Sequence, residues 1–162
     1  MHWELIIKFL ILLGIANGAP VMVRNLFKDK LSQPLDGGLE LPDGHPLFGK
    51  TKTVRGLVAA LLATAVLAPL VNIPWYIGLA VAASSMVGDL ISSFIKRRFG
   101  LVSSSRWTGL DQVPEALFPA LLGVYLLGLS GLDVVLIVAL FFIGQIVLSY
   151  VLYKVNFRRR PF

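Results

Sequence analysis

Five stretches of the chain, residues 5–23, 54–71, 75–95, 113–129 and 134–153, are almost wholly apolar and close to the length that crosses a bilayer. A hydrocarbon core about 30 Å thick needs about 20 helical residues to span it. Inside it, every backbone N–H and C=O must be satisfied within a helix or a closed barrel. The windows show no barrel-like alternation of polar and apolar residues. They are therefore expected to be helices. The fourth window is short and contains Pro114, Glu115 and Pro119. With 56% hydrophobic residues and a mean hydropathy of +0.79, the chain has too few charged side chains to cover its apolar surface in water. The expected fold is an all-α integral membrane protein of about five transmembrane helices, forming one membrane-embedded domain over residues 1–162. The first window is too long for the apolar part of a cleaved signal and lacks a basic flank, so it reads as a retained span.

The connections are unequal. Residues 72–74 and 130–133 are single turns, whereas residues 24–53 and 96–112 form two long loops. Of 15 lysines and arginines, 14 fall in the long loops, their junctions or the tail, leaving only Lys8 inside a span. With five spans, both loops and the tail share one side. The excess of positive charge assigns that side to the cytoplasm, with the N-terminus outside and the C-terminus inside. The basic tail from Lys154 to Arg160 reads as an anchor to anionic lipid.

The chain has no cysteine, which excludes disulfides, thiolate nucleophiles and zinc–thiolate sites. Its only histidines are His2 and His45, so a histidine metal cluster is excluded as well. Any metal must be held mainly by oxygen.

Polar groups within a span are costly unless paired, so each is a functional candidate. Lys8 can snorkel to the outer surface. Gln145 is expected to bond a neighbouring helix, and Gly14 with Gly18 to pack against one. Asn17 stands beside the helix break that Pro20 creates. The most informative residue is Asp89. On a helix, Ser85, Asp89, Ser92, Ser93 and Lys96 share one face. That stripe carries a carboxylate within the membrane boundary and a lysine about 10 Å further along. Asp111, at the end of the second loop, enters the fourth window at the same depth. Two carboxylates among loop cations suit Mg²⁺ bound to a triphosphate, because Mg²⁺ typically takes one or two carboxylates plus substrate phosphates. Glu115 either joins them or favours the helix N-terminus by its charge.

Residues 44–51 match the G-x-x-x-x-G-K-[ST] pattern letter for letter. A true P-loop needs a buried strand before it and an α/β sheet around it. Neither is expected here. The following stretch, with Lys50, Lys52, Thr53 and Arg55 before or at the start of a helix, still favours bound phosphate.

Three blocks carry a family resemblance. They are Asn17-Gly18-Ala19-Pro20; Asp43-Gly44 with Phe48-Gly49-Lys50-Thr51-Lys52-Thr53-Val54-Arg55-Gly56; and Gly88-Asp89-Leu90-Ile91-Ser92-Ser93-Phe94-Ile95-Lys96-Arg97-Arg98 with Asp111-Gln112. In this order they resemble the CDP-archaeol synthases, archaeal relatives of bacterial CDP-diacylglycerol synthase. Bacterial relatives have a further acidic residue three positions after the equivalent of Asp111, where this chain has Pro114, with Glu115 one later.

The resemblance implies a Mg²⁺-dependent transfer of CMP from CTP to an unsaturated archaeal ether-lipid phosphate, a bis-geranylgeranyl glycerol phosphate. The products are CDP-archaeol and pyrophosphate. It also implies that Asp89 and Asp111 hold the metal and, with Lys96, carry the chemistry. Lys50, Lys52, Thr53, Arg55, Gly56, Ser93, Arg97, Arg98, Gln112 and Asn17 would hold the nucleotide and phosphates. The partners expected are CTP, an isoprenoid lipid phosphate and the bilayer, with no nucleic acid. A small ion- or proton-coupled transporter with Asp89 as its ion site is the alternative. The chain lacks the internal repeat such transporters usually show.

Overall fold

The computed structural model describes residues 2–28, 30–103, 105, 107 and 109–154, with side chains as far as residue 150. Among them are five α-helices. They are α1 (Trp3–Phe27), α2 (Val54–Leu67), α3 (Trp75–Arg98), α4 (Gln112–Leu127) and α5 (Gly131–Lys154). Four are long and apolar enough to cross a membrane, α2 doing so together with the 3-10 turn Ala68–Val71 that continues it. The fourth, α4, has 16 residues and is a short apolar helix. Arg106 and the tail arginines Arg158, Arg159 and Arg160 lie outside the described residues.

Helix ends shift by one to four residues from the sequence expectation, and two of the shifts bear on the loop end. Helix α1 continues past residue 23 to Phe27, carrying Pro20 within it. Helix α3 runs through its basic cluster to Arg98, so Lys96 and Arg97 are part of a rigid element rather than a loop. Basic side chains in a final helical turn interact favourably with the unpaired carbonyls there.

The turn between α2 and α3 is fixed by Pro69 at the start of the 3-10 turn and by Asn72, whose φ of 55° lies in the left-handed region. Asparagine tolerates that region better than most residues. At the same end of the bundle, the first residues of α1 and α5 are tied together. The buried Asp133 carboxylate accepts from the His2 backbone N–H at 3.1 Å, from Ser130 N–H at 2.9 Å and from Ser130 Oγ at 2.8 Å. His2 Nδ1 lies 2.9 Å from Oδ2, the oxygen that accepts from Ser130. The core beneath this tie is formed by Ile6, Phe9, Leu12 and Leu13 of α1, Ile77 and Val81 of α3, Ala116 and Ala120 of α4, and Val134, Ile137 and Phe141 of α5. Lys8 pairs with Glu4 one turn back, at 2.5 Å.

One packing expectation fails. A Cβ placed on Gly14 or Gly18 would meet no atom within 4 Å, so neither glycine is seated against another helix of this chain. Close approach occurs instead at Gly88, where an added Cβ would collide with the backbone of Pro114 and Glu115. The missing side chain lets the start of α4 lie directly on α3 beside Asp89.

At the opposite end, the loop over residues 28–53 is organised without regular strands, apart from isolated bridges between Pro34 and Thr53 and between Glu40 and Pro46. Asp36 accepts backbone N–H groups from Gly38 at 3.0 Å, Phe48 at 2.9 Å and Gly49 at 3.1 Å. Partial burial works to raise its pKa, but the N–H groups of Phe48, Gly38 and Gly49 together bring it below the ordinary aspartate value. Asp43 is also held below its ordinary value, first by the N–H of His45 and, against a small burial effect, by Arg98. Residues 44–51 thus form a turn-rich loop with Gly49 at φ 93°, and no strand precedes them.

Candidate active site

Side chains from all five helices and the two loops surround one cavity of about 800 Å³ at the loop end of the bundle. Helices α1, α3 and α5 run in the same direction. Asn17, Asp89 and Gln145 each lie fourteen residues beyond the first residue of their helix. At 1.5 Å per residue each sits roughly 21 Å along its own helix, and all three line the cavity.

Asp89 faces the cavity from α3 and forms an ion pair with Lys52, which arrives just before α2. Thr53 starts α2 by accepting the Gly56 N–H at 3.3 Å, and this cap fixes where Lys52 leaves the loop. Glu115 of α4 meets the Asp89 carboxylate directly, with Lys52 and Asp111 near enough to act on its charge. The sequence left its role open; Gly88 brings it into place.

Asp111 stands at the start of α4 and accepts the Trp107 N–H through Oδ2 at 3.1 Å. Its Oδ1 lies 2.7 Å from Lys96 Nζ. The direction is unsuited to a hydrogen bond, and this buried oxygen has no hydrogen-bond partner. Lys96 donates instead to the Ser105 carbonyl at 3.0 Å. Beside it, Arg97 is 3% exposed, and its Nε and Nη1 are buried without partners. Its Nη2 donates to Ser105 Oγ at 3.4 Å. Buried polar atoms are almost always satisfied, so the two open nitrogens in a cavity mark a place for an anion. Asp111 is close enough to Arg97 to act on its charge.

The other expected residues divide as follows. Lys50, Lys52, Thr53, Arg55, Gly56, Ser93, Gln112 and Asn17 all line the cavity. Several also have structural duties. Arg55 donates to the carbonyls of Lys28 and Lys30, closing the loop against α2. Gln112 Oε1 accepts the Gly109 N–H at 2.7 Å. Asn17 donates to Leu13 O at 3.0 Å and to Ser85 Oγ at 3.1 Å, joining α1 to α3. Ser92 turns back to the Gly88 carbonyl at 3.1 Å and does not reach the cavity. Arg98 is not among the lining residues. It binds the Asp43 carboxylate and the carbonyls of Pro46 at 2.8 Å and His45 at 3.3 Å, and its guanidinium lies 5.1 Å from the Phe94 ring centre. It is placed as a brace for the first loop.

Among the lining residues not read as site residues from sequence are Arg24, Gln145 and Ser149. Gln145 forms no hydrogen bond to another described residue, contrary to the expected bond with a neighbouring helix. The available signal was spacing, since Gln145 and Ser149 are one turn apart and continue the inward stripe of Ile137 and Phe141.

Among the described residues, no three His, Cys, Asp or Glu side chains are grouped as around a metal ion. Lysines stand against Asp89 and Asp111 instead. The donor chemistry nevertheless fits Mg²⁺. The carboxylates are hard oxygen donors on one cavity wall, and Asp111 Oδ1 is a buried oxygen with no hydrogen-bond donor.

Known proteins resemble this chain in sequence and in fold. The CarS-like family profile, described as CDP-archaeol synthase, matches residues 63–162. A CDP-archaeol synthase of Sulfurisphaera tokodaii is 33% identical over 91% of this chain and 89% of its own length. One from Hyperthermus butylicus is 36% identical over 70% of this chain and 67% of its own. A solved structure described as an intramembrane enzyme for archaeal membrane lipid biosynthesis superposes with a TM-score of 0.74 at 29% identity, covering 88% of this chain and 91% of that one. None of these similarities supports the transporter alternative.

Proposed function

Because the chain belongs to the CarS-like family of CDP-archaeol synthases, we propose that its cavity transfers CMP from CTP to an unsaturated archaeal ether-lipid phosphate at the cytoplasmic face of the membrane. The family's activity is that of a cytidylyltransferase of archaeal lipid biosynthesis. The lipid, the metal and the residue roles are our reading of this site.

The observation that carries it is the closeness of two groups of opposite sign with buried atoms that make no hydrogen bond, Nε and Nη1 of Arg97 and Oδ1 of Asp111. One suits a phosphate and the other a cation. A phosphate oxygen of the lipid attacks the α-phosphorus of CTP; the bond from that phosphorus to the bridging oxygen of the β-phosphate breaks, and pyrophosphate leaves with the electron pair. The attacking oxygen is already ionised near neutral pH, so the step requires no protein nucleophile. The difficulty is bringing one anion against another.

Lys50, Lys52, Lys96 and Arg97 reduce that repulsion by surrounding the phosphates, and the rigid end of α3 holds the last two in register. Asp89 and Asp111 would hold Mg²⁺, with Glu115 beside Asp89 as a further oxygen donor. Bound there, the ion supplies charge neutralisation across the triphosphate. Lys52 and Lys96, the resting partners of those carboxylates, would then be free to hold phosphate oxygens.

The test is pyrophosphate release by purified protein given CTP, Mg²⁺ and the lipid phosphate. Asp89→Asn should abolish release while leaving the helical content unchanged. Release at the wild-type rate would remove Asp89 from the mechanism.

A further inference from the structure

Asp89 and Asp111 are guarded differently. Lys52 Nζ donates to both Oδ1 and Oδ2 of Asp89, so an ammonium group covers each oxygen of that carboxylate. Lys96 Nζ stands against Asp111 Oδ1 without hydrogen-bonding it, and donates to the Ser105 carbonyl instead. Asp111 therefore keeps a lone pair for an ion. At Asp89 an arriving ion meets a cation already seated.

The seated cation is held so that only its side chain can move. The Lys52 backbone N–H donates to the Gly49 carbonyl at 3.1 Å, and its carbonyl accepts the Leu35 N–H at 2.7 Å. Directly after it, Thr53 caps α2, and the Val54 N–H donates to the Gln33 carbonyl at 3.1 Å. From this anchor the ammonium hangs on a flexible four-carbon stem. The Lys52 side chain is 23% exposed, against 9% for Lys96, so Lys52 has the room to swing. The wall around it is strongly positive. Among the described residues lining the cavity, seven are Lys or Arg and three are Asp or Glu. Such a field opposes a bare divalent cation and draws in a triphosphate.

We propose that Lys52 is a tethered counterion that keeps Asp89 closed to free divalent ions and releases it only when nucleotide phosphates draw the ammonium away. The ion and the nucleotide then bind as a linked pair, each raising the affinity of the other by the same factor. The exchange is confined to one side chain, while the cap of α2 and the carboxylate wall of α3 stay in place. The resting cavity thus balances Asp89 internally and holds no ion there ahead of the nucleotide. This inference rests on the proposed reaction and its metal, to which it adds the group that controls when the ion binds.

The experiment titrates the full chain in detergent with Mn²⁺, a paramagnetic substitute for Mg²⁺, and follows free and bound ion by electron paramagnetic resonance without nucleotide or lipid. Wild type is compared with Lys52→Met, with Lys52→Met combined with Asp89→Asn, and with Lys50→Met. Removing an opposite charge in contact with a carboxylate changes its affinity for a cation by roughly tenfold or more. Lys52→Met should therefore bind Mn²⁺ at least about tenfold more tightly than wild type, and the double variant should lose that gain. Lys50 lines the same cavity and forms no ion pair with Asp89, so Lys50→Met should stay within about twofold of wild type. CTP affinity measured in a chelator should move the other way, falling roughly tenfold in Lys52→Met as a charged hydrogen bond to phosphate is lost. A merely structural lysine would not shift the two affinities in opposite directions. Lys52→Gln, neutral but still able to donate to Asp89, replaces the methionine variant if that one does not fold, and should shift both affinities the same way. Unchanged Mn²⁺ affinity in a folded neutral variant would overturn the proposal, as would an equal gain from Lys50→Met. If wild type bound no Mn²⁺ even with CTP present, the proposed metal would fail and this inference with it. If it bound the ion but released no pyrophosphate from CTP and lipid phosphate, the proposed reaction would fail, and the titration would still decide whether Lys52 guards Asp89.

Discussion

Lys96 Nζ lies 2.7 Å from Asp111 Oδ1 without the direction a hydrogen bond requires. The pair balances charge and leaves a lone pair available. Asp111→Asn retains the shape of the residue but removes the charge that opposes Lys96 and would hold a metal. We expect pyrophosphate release to fall by roughly 100-fold or more, the scale lost when a preorganised electrostatic group is removed. Release assays, with circular dichroism as a check on fold, measure this directly.

Gly88 separates two helices by the thickness of a missing methyl group. Alanine at 88 would press its Cβ into the Pro114 backbone, which cannot move independently of α4. Overpacking of this kind costs about 1–3 kcal/mol. Gly88→Ala should lower the melting temperature and, by shifting Glu115 from Asp89, reduce turnover further than the stability loss explains. Gly14→Ala is the control, since its Cβ meets nothing within 4 Å. It should leave both quantities near wild type.

The depressed pKa of Asp36 predicts how the first loop responds to acid. A carboxylate whose folded pKa is below its unfolded value contributes stability above the unfolded value and loses it as pH falls through the folded one. The ordinary value is 3.8, so the loop should hold at pH 5 and above and loosen as the medium is taken below that value. Hydrogen exchange at the Phe48 and Gly49 amides across that range is the measurement. Asp36→Asn should raise exchange at neutral pH and flatten the dependence.

Asp133 offers a test at the end remote from the site. Its buried carboxylate collects N–H and O–H donors from His2 and Ser130. Asp133→Ala leaves those donors without their acceptor, a loss of about 1–3 kcal/mol for each buried group left unsatisfied. We expect a lower melting temperature with kcat per folded molecule unchanged. A selective loss of kcat would connect the two ends of the bundle.

Arg97 and Arg98 are adjacent in sequence and differ in what they touch. Arg97→Lys should raise the KM for CTP, because a lysine cannot replace a forked guanidinium toward phosphate. Arg98→Lys should act by loosening the loop over residues 28–53, which limited proteolysis would detect before any nucleotide is added.

The helical membrane architecture was legible because apolar length is a strong, local signal. Asp89, Asp111 and the lysines were legible because charge at membrane depth is rare. What could not be read depends on three-dimensional approach. The contact of Glu115 with Asp89 follows from Gly88 meeting Pro114, two positions 26 residues apart. The orientation of Arg98 away from the cavity follows from Asp43 and from carbonyls of a loop with no periodicity. Gly14 and Gly18 matched a packing motif, but spacing alone does not say whether a partner helix is present. Gln145 was read as an interhelical link because a lone amide gives no sign of the void it borders.

Helix α4, at 16 residues, is about 24 Å long, several ångströms less than the usual hydrocarbon slab. A bilayer around such a segment thins to match it. The headgroups nearest α4 would then be drawn toward the bilayer midplane, forming a shallow dimple in the leaflet. An acceptor lipid already lowered in that dimple would need less vertical travel to bring its phosphate level with the carboxylates. The unaltered protein placed in thicker and thinner synthetic membranes should then turn over at different rates with no change to any side chain.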